Sequence, residues 1–274
     1  MLAVFPVLGL VANTVIPMAI GRSLEPGQEL TREVQDTWIV EQFPTPTEFI
    51  SIVGPLQISL LALAFIAAAI SPQKTFARLG FVRGCLPWRA LPLLMLSGSA
   101  MRVFETLLVS LLFADPSAQV LAMRKAFIEL SGCSAVFVLL CGSVLPGFCE
   151  EAVFRGFVLR GLLRRLNPWL AVVLVGLAFA AIHPGLYIAV LVFPTGVWLG
   201  IVAWRTASIW PAIVVHVFFN LADACLERTT PDPTKLYFLQ PSLLIGIVLL
   251  VSVIALVASI RILARLRPAY SSSA

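Results

Sequence analysis

Charge is what this chain has least of. Lys, Arg, Asp and Glu make up 12% of its 274 residues, where a soluble globular domain carries about 25%. Hydrophobic residues take 59% and mean hydropathy is +0.98. Together these exclude an ordinary water-soluble domain and leave an all-α, polytopic transmembrane bundle. Cysteine gives no framework either: Cys85, Cys133, Cys141, Cys149 and Cys225 are odd in number and contain no CxxC pair, so neither disulfides nor a cysteine metal site is expected. Cys149, although next to Glu150, reads as small apolar packing rather than as a nucleophile. HExxH and other helical zinc spacings are missing. No internal repeat, Gly/Ser linker or low-complexity block divides the chain, so 1–274 reads as one membrane-embedded domain. The net charge of +5 would suggest nucleic acid in a soluble protein. Here its distribution between loops matters more than its sum, and no nucleic-acid partner is expected.

Apolar runs of about 17–25 residues mark membrane spans. Eight are expected, near 2–21, 49–71, 90–114, 132–154, 168–184, 187–204, 208–226 and 241–260. The first run has no basic n-region and contains Asn13 and Pro17, which favours a retained helix over a cleaved signal peptide. Lys and Arg in short loops set orientation. Segment 72–89 carries Lys74, Arg78, Arg83 and Arg89 without an acid, and 155–166 carries Arg155, Arg160, Arg164 and Arg165 without one. Arg205 and the tail residues Arg261, Arg265 and Arg267 continue the pattern, whereas 22–48 is acidic. With eight spans all the basic loops fall on one side, which places both termini in the cytoplasm. The expected location is the bacterial inner membrane, with lipid as the surrounding partner.

Against that background the polar residues at membrane depth stand out, because an ionisable group near the bilayer centre costs about 2.5–3.5 kcal/mol on insertion scales. Arg102 and Glu105 lie one helical turn apart and can neutralise each other. Asp223 is expected at the interface or hydrogen-bonded behind the Asn220 region. The segment GFCEEAVFRGF at 147–157 places two adjacent glutamates and an arginine in a greasy run. Glu151 and Arg155 are i,i+4 and can pair, while Glu150 is rotated by about 100° and has no such partner in its own helix. Both histidines of the chain, His183 and His216, also fall in spans, and Asn220 follows His216 by one turn. Taking Asn167 as the pivot of a hairpin, Glu151 lies as far before it as His183 lies after it, which sets the two level in an antiparallel pair.

Those groups suit amide hydrolysis. Glu150 can deprotonate a water that His183 helps to hold, and His216 with Asn220 can donate hydrogen bonds to the oxyanion. A zinc-dependent version of the same site, with His183, His216 and Glu150 as ligands, is the alternative. Two further classes stay open: a proton-coupled transporter using the acids and histidines as a relay, and a non-catalytic scaffold or immunity protein.

The motifs EEAVFR (150–155), FAAIH (179–183) and HVFFN (216–220) resemble EExxxR, FxxxH and HxxxN, in that order. These characterise the CPBP intramembrane proteases, the CAAX protease and bacteriocin-processing (Abi) family that includes type II CAAX prenyl endopeptidases. The similar region covers about 132–226 and is the expected catalytic core. The resemblance implies a helical bundle enclosing a cavity, with Glu150 as general base and Glu151 and Arg155 positioning it. It further implies His183 as water partner and His216 and Asn220 as the oxyanion site. The metal question is left open, with a glutamate mechanism preferred, and no cofactor other than zinc is in view. The expected substrate is a peptide or protein with a membrane-associated or C-terminal segment, cut during maturation or sorting.

Overall fold

The computed structural model describes residues 46–70, 73–113, 128, 130–183, 185–228 and 243–266. The expected span at 2–21 and most of the loops at 22–48 and 227–240 lie outside these. Within them the chain is helical, with no strand among the described residues. The main helices are α1 (Pro46–Ala69), α2 (Thr75–Arg78), α3 (Leu91–Leu112), α4 (Gly132–Leu162), α5 (Pro168–Ala181), α6 (Leu186–Thr206), α7 (Trp210–Glu227) and α8 (Leu243–Arg265). Each of the seven later apolar runs of the sequence thus coincides with a helix. Among the described residues four helices are long and apolar enough to cross a membrane: Trp88–Leu112, Gly132–Leu162, Leu186–Thr206 and Gly246–Arg265. Val53–Ala69, Pro168–Ala181 and Trp210–Leu226 are apolar but shorter.

Local chemistry explains the helix ends. Pro168 starts α5 where its missing N–H costs nothing, and Asn167 caps it, its Oδ1 accepting from the Trp169 N–H at 2.9 Å. At the other end of the hairpin that follows, α6 stops where Ala207 turns left-handed at φ 56°. The carbonyl of Thr206, orphaned by that stop, accepts the Cys85 N–H at 2.9 Å. Two more bonds fasten the same strap to the α6–α7 turn: Ile209 N–H to Gly80 O at 3.1 Å and Ser208 Oγ to Val82 O at 2.7 Å. The irregular segment between α2 and α3 is therefore clipped to the bundle rather than left as a free loop.

Helices α4 and α7 pack together, as do α5 and α6, with α3 touching α6, α7 and α8 and α1 lying along α4. In a bilayer such contacts need close approach, because lipid tails are as apolar as leucine. Gly147 provides it between α4 and α7, where a Cβ would come within 2.5 Å of the Val217 side chain. Gly176 provides it between α5 and α6, where a Cβ would meet Val197 at 2.7 Å. The core that forms around Leu94, Phe154, Val172, Val175, Leu199 and Val202 holds the midsections of α3 to α6 in register. The exposed faces carry lipid-compatible side chains such as Leu111, Leu140, Leu177 and Ile254.

Candidate active site

The middle of α4 is irregular on both sides of the acid pair. Pro146, one turn before Glu150, has no N–H for the helix ladder. Straight after Glu151 the winding loosens into a π-helical stretch, Ala152–Leu159, a form that occurs mostly as single turns at functional sites. All of its residues are buried. Glu150 is 6% exposed, while Glu151 and Arg155 are fully buried at 0%.

Glu151 and Arg155 form the pair that their spacing suggests, Arg155 Nη1 donating to Glu151 Oε1 at 2.6 Å. The other arm of the guanidinium, Nη2, donates to the carbonyl of Gly196 on α6 at 2.8 Å. His216 on α7 joins through Nδ1, 3.0 Å from the same Glu151 oxygen. A carboxylate only accepts, so with Glu151 ionised Nδ1 carries the hydrogen and Nε2 of His216 points away from the pair. Glu151 and Arg155 together thereby tie α4, α6 and α7 around Glu150.

His183 stands just past the end of α5, half-buried. Its Nδ1 lies 2.8 Å from the carbonyl of Phe179. A carbonyl likewise only accepts, so this nitrogen is the N–H, and in the neutral ring the lone pair is on Nε2. The Phe179 ring links the two histidines to the arginine. Its centroid is 4.8 Å from that of His183, 6.0 Å from that of His216, and 4.6 Å from the Arg155 guanidinium carbon. Phe154 of α4 meets the same ring edge-on at 5.4 Å. Through this ring His183 is connected to the Glu151–Arg155 pair.

Glu150 is not without a partner, contrary to what its own helix suggests. Gln57 of α1, 4% exposed, donates from Nε2 to Glu150 Oε1 at 2.8 Å. Nothing in the local pattern of α1 marked this residue. The one available signal was a glutamine inside an apolar run, two residues after a proline. Asn220 lies one turn beyond His216 on α7, half-buried, and is not hydrogen-bonded to the other site residues among the described residues.

Asp223 pairs with an arginine of another helix, α3. It accepts from Arg102 Nε and Nη2 at 2.7 and 2.6 Å, a bidentate geometry that outcompetes the within-helix partner. Glu105 lies 3.4 Å from Arg102 Nη1 and takes the Thr195 N–H at 2.9 Å. That N–H is available because Pro194 interrupts the ladder of α6. Consecutive residues after Pro194, Thr195 and Gly196, so serve Glu105 and Arg155 respectively.

The donors named for zinc are not gathered. Among the described residues no three His, Cys, Asp or Glu side chains group as a metal site requires. His183, His216 and Glu150 therefore do not fit a zinc centre in this arrangement, and Cys149 is a buried free thiol beside them.

Residues 132–222 match a family model described as type II CAAX prenyl endopeptidase Rce1-like. The match spans about a third of the chain and contains all three motifs, ending just after Asn220. Neither a curated protein nor a solved structure matches.

Proposed function

With that match supporting the CPBP, or CAAX protease, family as the premise, we propose that the protein is an intramembrane endopeptidase that hydrolyses a peptide bond with glutamate-activated water. Glu150 removes a proton from the water as its oxygen attacks the scissile carbonyl, and returns that proton to the departing amine when the C–N bond breaks. His183 accepts the water's second hydrogen at Nε2, its Nδ1–H being committed to Phe179. The NH₂ group of Asn220 is one donor for the oxyanion. His216 is the other once its Nε2 also carries a proton, and Glu151, already on Nδ1, is the counter-charge for that form. Arg155 fixes Glu151 and the α6 backbone behind it.

The observation that carries this reading is the buried set Glu151, Arg155 and His216, drawn from separate motifs onto one carboxylate beside Glu150. An ion pair with only a structural task needs neither the second acid nor the imidazole. The substrate in this proposal is a membrane-anchored segment, either a leader peptide or a C-terminal sorting tail of an exported protein. The enzyme sits in a bacterial inner membrane with eight spans and cytoplasmic termini, as the loop charges favour. Purified full-length protein is assayed on a quenched, membrane-anchored peptide alongside Glu150→Gln and His183→Ala. Both variants are expected to lose about 10²-fold or more in kcat. Undiminished cleavage by both overturns the assignment.

A further inference from the structure

The matched region begins at residue 132, yet Glu150 is hydrogen-bonded from α1, 93 residues earlier in the chain. Gln57 is buried, its Nε2–H holds Glu150 Oε1 at 2.8 Å, and its own Oε1 is buried without a hydrogen-bond partner among the described residues. Burying an amide in an apolar helix is costly unless both of its ends are satisfied. Here one end is satisfied by the acid and the other is an acceptor beside it.

We propose that Gln57 is a positioning residue for Glu150, holding one carboxylate oxygen so that the other faces the attacking water, and offering its free Oε1 to that same water. The inference rests on the protease reading of Glu150 and extends it outside the three motifs. With Oε1 of Glu150 engaged by the amide N–H, Oε2 is the oxygen that takes the proton. The carboxylate plane is then set by α1 instead of by rotation about the glutamate's own side-chain bonds. A water donating one hydrogen to Glu150 Oε2 has its second shared between His183 Nε2 and Gln57 Oε1, both acceptors. Pro55, within α1 and two residues before Gln57, breaks the ladder close to this position, as Pro146 does on the facing helix.

The test uses full-length protein in lipid vesicles and Gln57→Met, which keeps length and apolar packing but cannot donate. Infrared difference spectra of [¹³C]glutamate-labelled protein, with Glu150→Gln subtracted, isolate the carboxylate stretches of Glu150 without any substrate. The expected result is a shift and broadening of those bands in Gln57→Met. A fall in kcat of about 10- to 100-fold on the quenched membrane-anchored peptide should accompany it, with KM within about twofold. If Gln57→Met does not fold, Gln57→Asn, which retracts the amide by one methylene, is read in the same way. Unchanged Glu150 bands overturn the inference, and so does a shifted band with unchanged kcat. Full activity in Glu150→Gln instead removes the protease reading itself, an outcome seen in a different variant and so separable from a failure at Gln57.

Discussion

Arg155 shows what one side chain does here that its charge alone does not. Its two Nη atoms reach in different directions, to Glu151 on its own helix and to the Gly196 carbonyl on α6, a fork that lysine cannot reproduce. Arg155→Leu leaves Glu151 as a buried carboxylate with only His216 against it. The expected cost is about 3–5 kcal/mol, measured as a lower SDS or urea midpoint in micelles. The pairing of Glu151 with Arg155 was legible from i,i+4 spacing alone. The partner of Glu150 was not, because Gln57 lies on a helix whose neighbours the sequence does not declare. The same holds for Arg102, where spacing identified Glu105 but the bidentate partner Asp223 is 121 residues away. Local periodicity reports contacts within an element and is silent about which side chain of another element arrives.

At the scale of helices, the interruptions cluster where the chemistry is. Pro55 lies beside Gln57, Pro146 one turn from Glu150, and Pro194 next to the two backbone groups that meet Glu105 and Arg155. The existence and order of the helices were legible because long apolar runs leave no other choice in a bilayer. The π-helical stretch of α4 was not, since its composition is the same as that of an ordinary apolar helix and the difference lies in the packing around it. Close approach is equally a property of pairs. Gly147→Ala would place a Cβ 2.5 Å from Val217 Cγ2 and 3.1 Å from the Val217 backbone nitrogen. It therefore pushes α7, and with it His216, away from Glu151. The expected result is a destabilisation of about 1–3 kcal/mol and at least a tenfold loss of cleavage, whereas Gly246→Ala, which meets nothing within 4 Å, leaves both unchanged. Similar behaviour of the two alanine variants would show that the α4–α7 spacing does not set the site.

Two charged clusters meet the Thr195–Gly196 segment of α6: the buried Glu151, Arg155 and His216, and the buried Glu105 with the part-buried Arg102 and Asp223. Ions sequestered in this way are poorly screened. Raising the salt from about 0.05 to about 0.5 M is expected to leave kcat within about twofold, as followed by initial rates at fixed pH. A steep decline would place the working pairs at the surface. Chelator treatment followed by gel filtration is likewise expected to leave turnover intact, because no zinc-like donor set is assembled among the described residues. Loss of activity restored by added Zn²⁺ would reverse that reading. The bundle class was legible from composition. The number of crossings was less so, since among the described residues four helices meet the length and hydropathy of a span and the first expected one lies outside them.

Phe179 has no proton to give and no lone pair in its ring, yet Arg155, His183 and His216 all rest against that one disc. Three groups leaning on a common bearing cannot shift independently. Replacing that ring by a smaller apolar side chain is therefore expected to loosen all three supports at once.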